Sequence, residues 1–282
     1  MKPKVIAVVG PTASGKTSIA IDIALKNNGE IISADSRLVY KGFNIAAAKP
    51  TLEEQMGIPH HLIDIVEPEF DYSAGDYYRD AKKAIDEILS RGKTPIVAGG
   101  TGLYIRILLE NYNLPEVETN YELREKLNQK DITELLKELE KVDKITYERV
   151  KDANKRRVVR ALEIIKTLDR PLSEFNIIKE PEYNVEWKIP EINSRDELYD
   201  RINKRVDLMI EQGIVDETKY LLKKHGRIKN FICTIGYKEI LEYIDGNWTL
   251  EEAAEKLKQH TRNYAKRQLT WFRKNPELNI QI

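Results

Sequence analysis

Near its amino end the chain reads Gly10-Pro11-Thr12-Ala13-Ser14-Gly15-Lys16-Thr17, between an apolar run from Val5 to Val9 and a helix-like stretch from Ser18 to Lys26. A G-x-x-x-x-G-K-[ST] string in that setting constrains the fold more than any other feature of the sequence. It needs a buried strand before it, a helix after it, and a turn whose backbone N–H groups converge on an anion. Lys16 adds a positive charge to that nest of amides, and the Thr17 hydroxyl can ligate Mg²⁺ beside a bound phosphate. Gly10 to Thr17 are therefore expected to hold an oligophosphate, though the loop does not say which one.

The rest of the amino-terminal third alternates strand-like and helix-like stretches. "EIISAD" (30–35), "HHLIDIV" (60–66) and "TPIVAGGTG" (94–102) read as strands and their turns, and "DYYRDAKKAIDEILSRG" (76–92) as a helix. This alternation predicts an α/β fold, a P-loop NTPase-like core whose parallel sheet is flanked by helices. In such a sheet the carboxyl ends of the strands share one edge, where ligands gather. That edge would bring together the phosphate loop, the Asp35 carboxylate of "SADSRLVY" and the Thr101 hydroxyl of "GGTGLY". An acid, a hydroxyl and an anion cradle make a plausible active site. Taken singly, Asp35 reads as a turn-capping aspartate and the glycines as a tight turn. His60 and His61 are neighbours on a strand and point to opposite faces, so they cannot share a metal ion.

From about Tyr112 the texture changes to charged helices, and strand character returns only at "NVEWKIPEI" (184–192). The reading is an all-helical domain, 113–183, inserted into a core formed by 1–112 and 184–282. The core resumes at Ser194-Arg195-Asp196-Glu197, which predicts a capping box. A terminal helix of about twenty-five residues follows, capped by Thr249-x-x-Glu252 and closed by Pro276. Two segments interleave or cluster basic residues. "NKRRVVR" (154–160) sets Arg156 and Arg160 one turn apart, and "TRNYAKRQLTWFRK" (261–274) places Arg and Lys around Tyr264, Trp271 and Phe272. Such patterns suit a nucleic-acid backbone with stacked bases, although a solvated helix face reads similarly. Lys plus Arg equal Asp plus Glu at 46 each, so any polyanion must be met by local patches. Cys233 is the only cysteine, which excludes a disulfide framework and a cysteine-ligated zinc site. No apolar run suits a signal peptide or a membrane span, so a cytoplasmic protein with no membrane partner is expected. From the residues alone, a small-molecule kinase using the same loop and an RNA-binding protein with a vestigial loop both stay open.

Taken in order, "GPTASGKT", "SADS", "AKP" (48–50), "PHHLID" (59–64), "YSAGDYYRDA" (72–81), "PIVAGGTGLY" (95–104), "KRRVVRALE" (155–163), "LYDRINKRVDLMIEQG" (198–213), "IGYKE" (235–239) and "AKRQLTWFRK" (265–274) resemble the bacterial tRNA dimethylallyltransferase family over nearly the whole chain. The resemblance implies transfer of a five-carbon group from dimethylallyl diphosphate, with Mg²⁺, to the adenine just 3′ of a tRNA anticodon. It implies Asp35 as the base and Thr101 as its helper, Gly10 to Thr17 and Arg205 on the diphosphate, and Thr17 on the metal. It also implies tRNA contacts at Asp35, Ser36, Arg37, Leu38, Thr101, Arg124, Arg156, Arg157, Val158, Val159, Arg160, Lys266, Arg267, Gln268 and Arg273, on a protein acting as a monomer. Two departures stand out. Ala46-Ala47 replace the family's usual Gly-Thr, and Arg37-Leu38 follow Asp-Ser where other residues are frequent.

Overall fold

The computed structural model describes residues 2–110, 112, 115, 117, 119–175, 180–275 and 277–278. The chain divides into two compact units, one made of 1–110 and 181–282 and the other of 111–180. Pro276, expected to close the last helix, lies outside the described residues.

The first unit is built on a parallel sheet. Its strands are β1 (Lys4–Val9), β2 (Gly29–Ala34), β3 (His60–His61), β4 (Thr94–Gly99) and β5 (Asn184–Lys188), in the order β3-β2-β4-β1-β5. The apolar run of β1 is buried from Val5 to Val9, as a central strand covered on both faces requires. Helix α1 (Lys16–Lys26) packs Ala20, Ile21 and Ala24 against Ile6, Val8, Ile31 and Ile96. Each of the larger apolar side chains so enclosed contributes about 1.5–3 kcal/mol. Helices α2 (Ala74–Ser90) and α3 (Gly102–Leu109) pack against each other, with Tyr77 and Tyr104 stacked at 3.9 Å between ring centroids. The expected strand at 60–66 is much shorter. Only His60 and His61 pair with β2, and an isolated bridge joins Tyr40 to Val66. Leu62 and Asp64 take positive φ, which breaks the extended run.

Register decides where the functional residues meet. Val9 of β1 and Ala34 of β2 both pair with Gly99 of β4. The residues that follow, Gly10, Asp35 and Gly100-Thr101, therefore leave the sheet side by side.

The second unit holds α4 (Tyr121–Gln129), α5 (Ile132–Val142), α6 (Lys144–Val150) and α7 (Lys155–Leu168). Leu127, Leu135, Leu139, Val158, Val159, Ala161, Leu162 and Ile165 form its core.

Returning to the first unit, α8 (Arg195–Glu211) starts at Ser194, whose hydroxyl accepts the Glu197 N–H at 3.1 Å. The expected box is only half made, because the Glu197 carboxylate accepts from the backbone and side chain of Asn193 instead. Helices α9 (Ile214–His225), α10 (Lys229–Ile232) and α11 (Tyr237–Ile244) lead to α12 (Leu250–Phe272), where the Thr249–Glu252 box is complete. Among the described residues no helix is long and apolar enough to cross a membrane.

Candidate active site

The phosphate loop runs from Gly10 to Gly15 and opens α1. Ala13 and Gly15 both have positive φ, 60° and 84°, which turns consecutive amides to one side, and Gly15 supplies the left-handed conformation at the helix start at no Cβ cost. No side chain caps this helix, so its first N–H groups stay available for an anion. Pro11 and Ser14 are buried. The Lys16 ammonium donates to the Pro11 carbonyl at 3.1 Å. Burial pulls its pKa down to about 8, Asp35 pushes it back up, and Arg205 lowers it again. Arg205, from α8, donates to the Thr12 hydroxyl at 3.3 Å, and its pKa is likewise lowered by burial and raised by Asp35. Two enclosed cations thus face one carboxylate across the loop, while the hydrogen bonds they donate go to neutral oxygens.

Asp35 follows β2 directly and is half-buried, with one carboxylate oxygen accepting the Arg37 N–H at 2.8 Å. The turn-capping bond uses one carboxylate oxygen of Asp35. Thr101 accepts the Ser36 N–H on its hydroxyl at 3.1 Å and donates its own N–H to the Ala34 carbonyl at 3.1 Å. This ties the turn after β4 to the turn after β2. Tyr264 of α12 completes the wall near Thr101, and its pKa is pushed up to about 12 by burial and by Asp35, against Thr101, Arg37 and Arg267. Tyr104 is raised too, by burial first, with Tyr40 and Asp35 adding to it.

On the outer side of α1, Thr17 is exposed and lines a cleft of about 560 Å³ with Gly15, Ser18, Asp22 and Glu53. Its hydroxyl is a hard oxygen donor suited to Mg²⁺. Among the described residues no group of three His, Cys, Asp or Glu could hold a metal ion. Mg²⁺ at nucleotide sites usually takes one or two protein ligands and completes its shell with phosphate oxygens and water.

A family model described as IPP transferase matches residues 38–275. The chain belongs to that family. It is similar to the tRNA dimethylallyltransferases of Pelotomaculum thermopropionicum, 44% identical across 98% of this chain and 90% of that protein, and of Acetivibrio thermocellus, 47% identical across 96% and 88%. Among solved structures it resembles a tRNA isopentenylpyrophosphate transferase from Staphylococcus epidermidis, with TM-score 0.71, 42% identity, and 99% of this chain and 92% of that one covered. It also resembles a eukaryotic dimethylallyltransferase acting on tRNA, with TM-score 0.82, 32% identity, and 96% and 70% covered. The matched family region begins after the phosphate loop and Asp35, whereas the similarity to the relatives and solved structures extends over both.

Several residues expected at tRNA have their side chains engaged within the protein. Val158 and Val159 are 0% and 2% exposed in the core of the helical unit, where no RNA reaches their side chains. Arg124 forks onto Glu163 at 2.8–3.1 Å, and Arg160 reaches the same carboxylate at 3.0 Å. Glu163 is fully buried, so these guanidinium groups neutralise a core acid. Gln268 is 6% exposed with both ends of its amide on protein backbone. Arg156, Arg157, Lys266, Arg267 and Arg273 are exposed.

Sequence reasoning missed Tyr264 and Tyr104 as site walls and missed Glu217 altogether. The Glu217 carboxylate accepts the Ile45 N–H at 2.9 Å and the Tyr237 hydroxyl at 2.7 Å, pinning the segment that carries Ala46. A Cβ at Gly236 would crowd Ala46, so the "IGYKE" glycine and the alanine departure meet in space.

Proposed function

We infer that this chain transfers the dimethylallyl group of dimethylallyl diphosphate to the exocyclic N6 amine of the adenine 3′-adjacent to a tRNA anticodon, releasing diphosphate. The observation that carries this reading is the pair of enclosed cations, Lys16 and Arg205, sharing the field of Asp35 at the carboxyl edge of the sheet. An anion cradle beside a half-buried acid suits a reaction in which an anion leaves as a proton is taken.

As the allylic C–O bond breaks, its electrons pass to the diphosphate oxygen. The loop amides, Lys16 and Arg205 stabilise that charge where it develops. The Thr17 hydroxyl would hold Mg²⁺ beside the diphosphate, and the ion would supply further positive charge there. The adenine nitrogen is a weak nucleophile because its lone pair is shared with the ring. Asp35 accepts a hydrogen bond from its N–H, orients it, and takes the proton as the C–N bond forms. Thr101 holds the amine with its hydroxyl. An adenine stacked in a loop cannot reach this edge, so it enters extruded from the stack. Arg37, Arg156, Arg157, Lys266, Arg267 and Arg273, with Ser36 and Leu38 near the acid, meet the anticodon stem-loop, mostly at phosphates. The catalytic protein is a monomer acting in the cytoplasm.

The test incubates the protein with dimethylallyl diphosphate, Mg²⁺ and unmodified tRNA, then weighs the nucleosides. One adenosine gaining C5H8 is expected. ATP consumed with no change in nucleoside mass would make the chain a kinase.

A further inference from the structure

Gln268 is a polar side chain on the inner stripe of α12, between Ala265, Leu269 and Phe272, which are all buried. Its Oε1 accepts the Thr12 N–H at 2.8 Å, and its Nε2 donates to the Gly100 carbonyl at 2.9 Å. Those two partners belong to the two halves of the site. Thr12 lies in the phosphate loop and receives Arg205 on its hydroxyl. Gly100 precedes Thr101, which holds the turn of Asp35 through the Ser36 N–H. The fit leaves no slack, because a Cβ at Gly100 would overlap the Gln268 amide and one at Gly102 would overlap the Trp271 indole. The turn after β4 is thus shaped to receive α12 at both positions.

We propose that Gln268 is a positioning residue that sets the spacing between the diphosphate cradle and the acceptor-holding pair Asp35–Thr101. It rests on the transferase reading above. A continuous string of hydrogen bonds runs Arg205–Thr12–Gln268–Gly100, then through the chain to Thr101 and Ser36. Within that string, Gln268 is the link whose side chain bonds both loops at once. An allylic carbon and an amine react only at near-contact distance and correct alignment, so a loop displaced by about 1 Å can cost on the order of a hundredfold in rate. An amide suits the task because it donates at one end and accepts at the other without a buried charge.

The experiment compares single-turnover rates at saturating dimethylallyl diphosphate and tRNA, tRNA affinity, and melting temperature for wild type, Gln268→Leu and Gln268→Glu. Gln268→Leu should slow transfer by about ten- to a hundredfold with tRNA affinity within about twofold of wild type. Gln268→Glu guards against a misfolded leucine variant. Its carboxylate keeps the Thr12 bond but opposes the Gly100 carbonyl, whereas its protonated form donates there as the amide does. The ratio of Gln268→Glu rate to wild-type rate should therefore rise as pH is lowered from about 8 to 6. A role limited to stability would leave that ratio flat, and a flat ratio overturns the proposal. Lost tRNA affinity with unchanged turnover also overturns it and returns Gln268 to the RNA surface. A wild type that adds no C5H8 overturns the transferase reading, and this inference with it, whereas a wild type that does so with both variants unimpaired overturns this inference alone.

Discussion

Lys16 and Arg205 in the α/β unit, and Arg124 and Arg160 in the helical unit, are all cations drawn toward the interior, but they end in opposite situations. The helical pair closes on Glu163, a fully buried carboxylate, with bonds of 2.8–3.1 Å. The loop pair donates to a carbonyl and a hydroxyl, and Asp35 acts on it through space. An enclosed cation without a paired carboxylate is costly unless an anion arrives. A paired one has its anion already. The contrast marks which cations still lack a bonded anion, which the number of basic residues in a segment cannot do.

Removing the acid between the loop cations should give the largest effect. Asp35→Ala is expected to lower turnover by roughly a hundredfold or more while tRNA affinity changes little. Lost tRNA binding with normal turnover of the residual complex would move the base elsewhere. Lys16→Ala comes next, with kcat/KM for the donor falling by roughly a hundredfold through kcat and KM together. A normal donor KM in that variant would take the diphosphate out of the loop. On the helical side, Arg124→Ala should leave turnover chemistry intact but destabilise by about 2 kcal/mol, since half of a buried carboxylate's neutralisation is removed. Thermal unfolding reads this directly. Arg156→Ala with Arg157→Ala should do the reverse, leaving stability unchanged and flattening the salt dependence of tRNA affinity by about one unit of slope for each phosphate no longer neutralised. If Arg124→Ala flattens that slope as well, the division between binding and structural arginines fails.

The same contrast explains what was legible in advance. The loop, Asp35 and Thr101 could be read because backbone geometry dictates their spacing: a glycine-lysine turn after a strand, and residues one step past strand ends that pair at a common level. The parallel core could be read from its alternation. The pairing of Arg124 and Arg160 with Glu163 was hidden because a helical repeat shows which residues share a face but not which acid that face meets. The clue was Glu163, an acid within the apolar run Val158 to Ile165, which needed a cation in the core. The inward placement of Gln268 and Tyr264 was hidden similarly. Both sit on the apolar stripe of a helix whose other side is basic, and proximity to that basic face suggested RNA. The short β3 was illegible because its apolar run breaks at Leu62 and Asp64, where non-glycine residues take positive φ under constraints from parts of the chain distant in sequence.

The smallest effect tests the loop cation by titration. Lys16 holds its proton to about 8 in the folded chain against 10.5 for an ordinary lysine. Its folded pKa is the lower of the two, so its contribution to stability is full above 10.5 and is lost as pH falls through 8. Below that pH the folded protein carries an enclosed ammonium with no carboxylate bonded to it, which is the state an anion relieves. Diphosphate should therefore raise the melting temperature more at pH 7 than at pH 9, with affinity weakening by up to about tenfold per unit above 8 as Lys16 surrenders its proton. Arg205 keeps its charge across that range and supplies the residual binding. A melting gain equal at both pH values would mean that Lys16 does not touch the diphosphate, and an enclosed cation would then be no guide to where an anion binds.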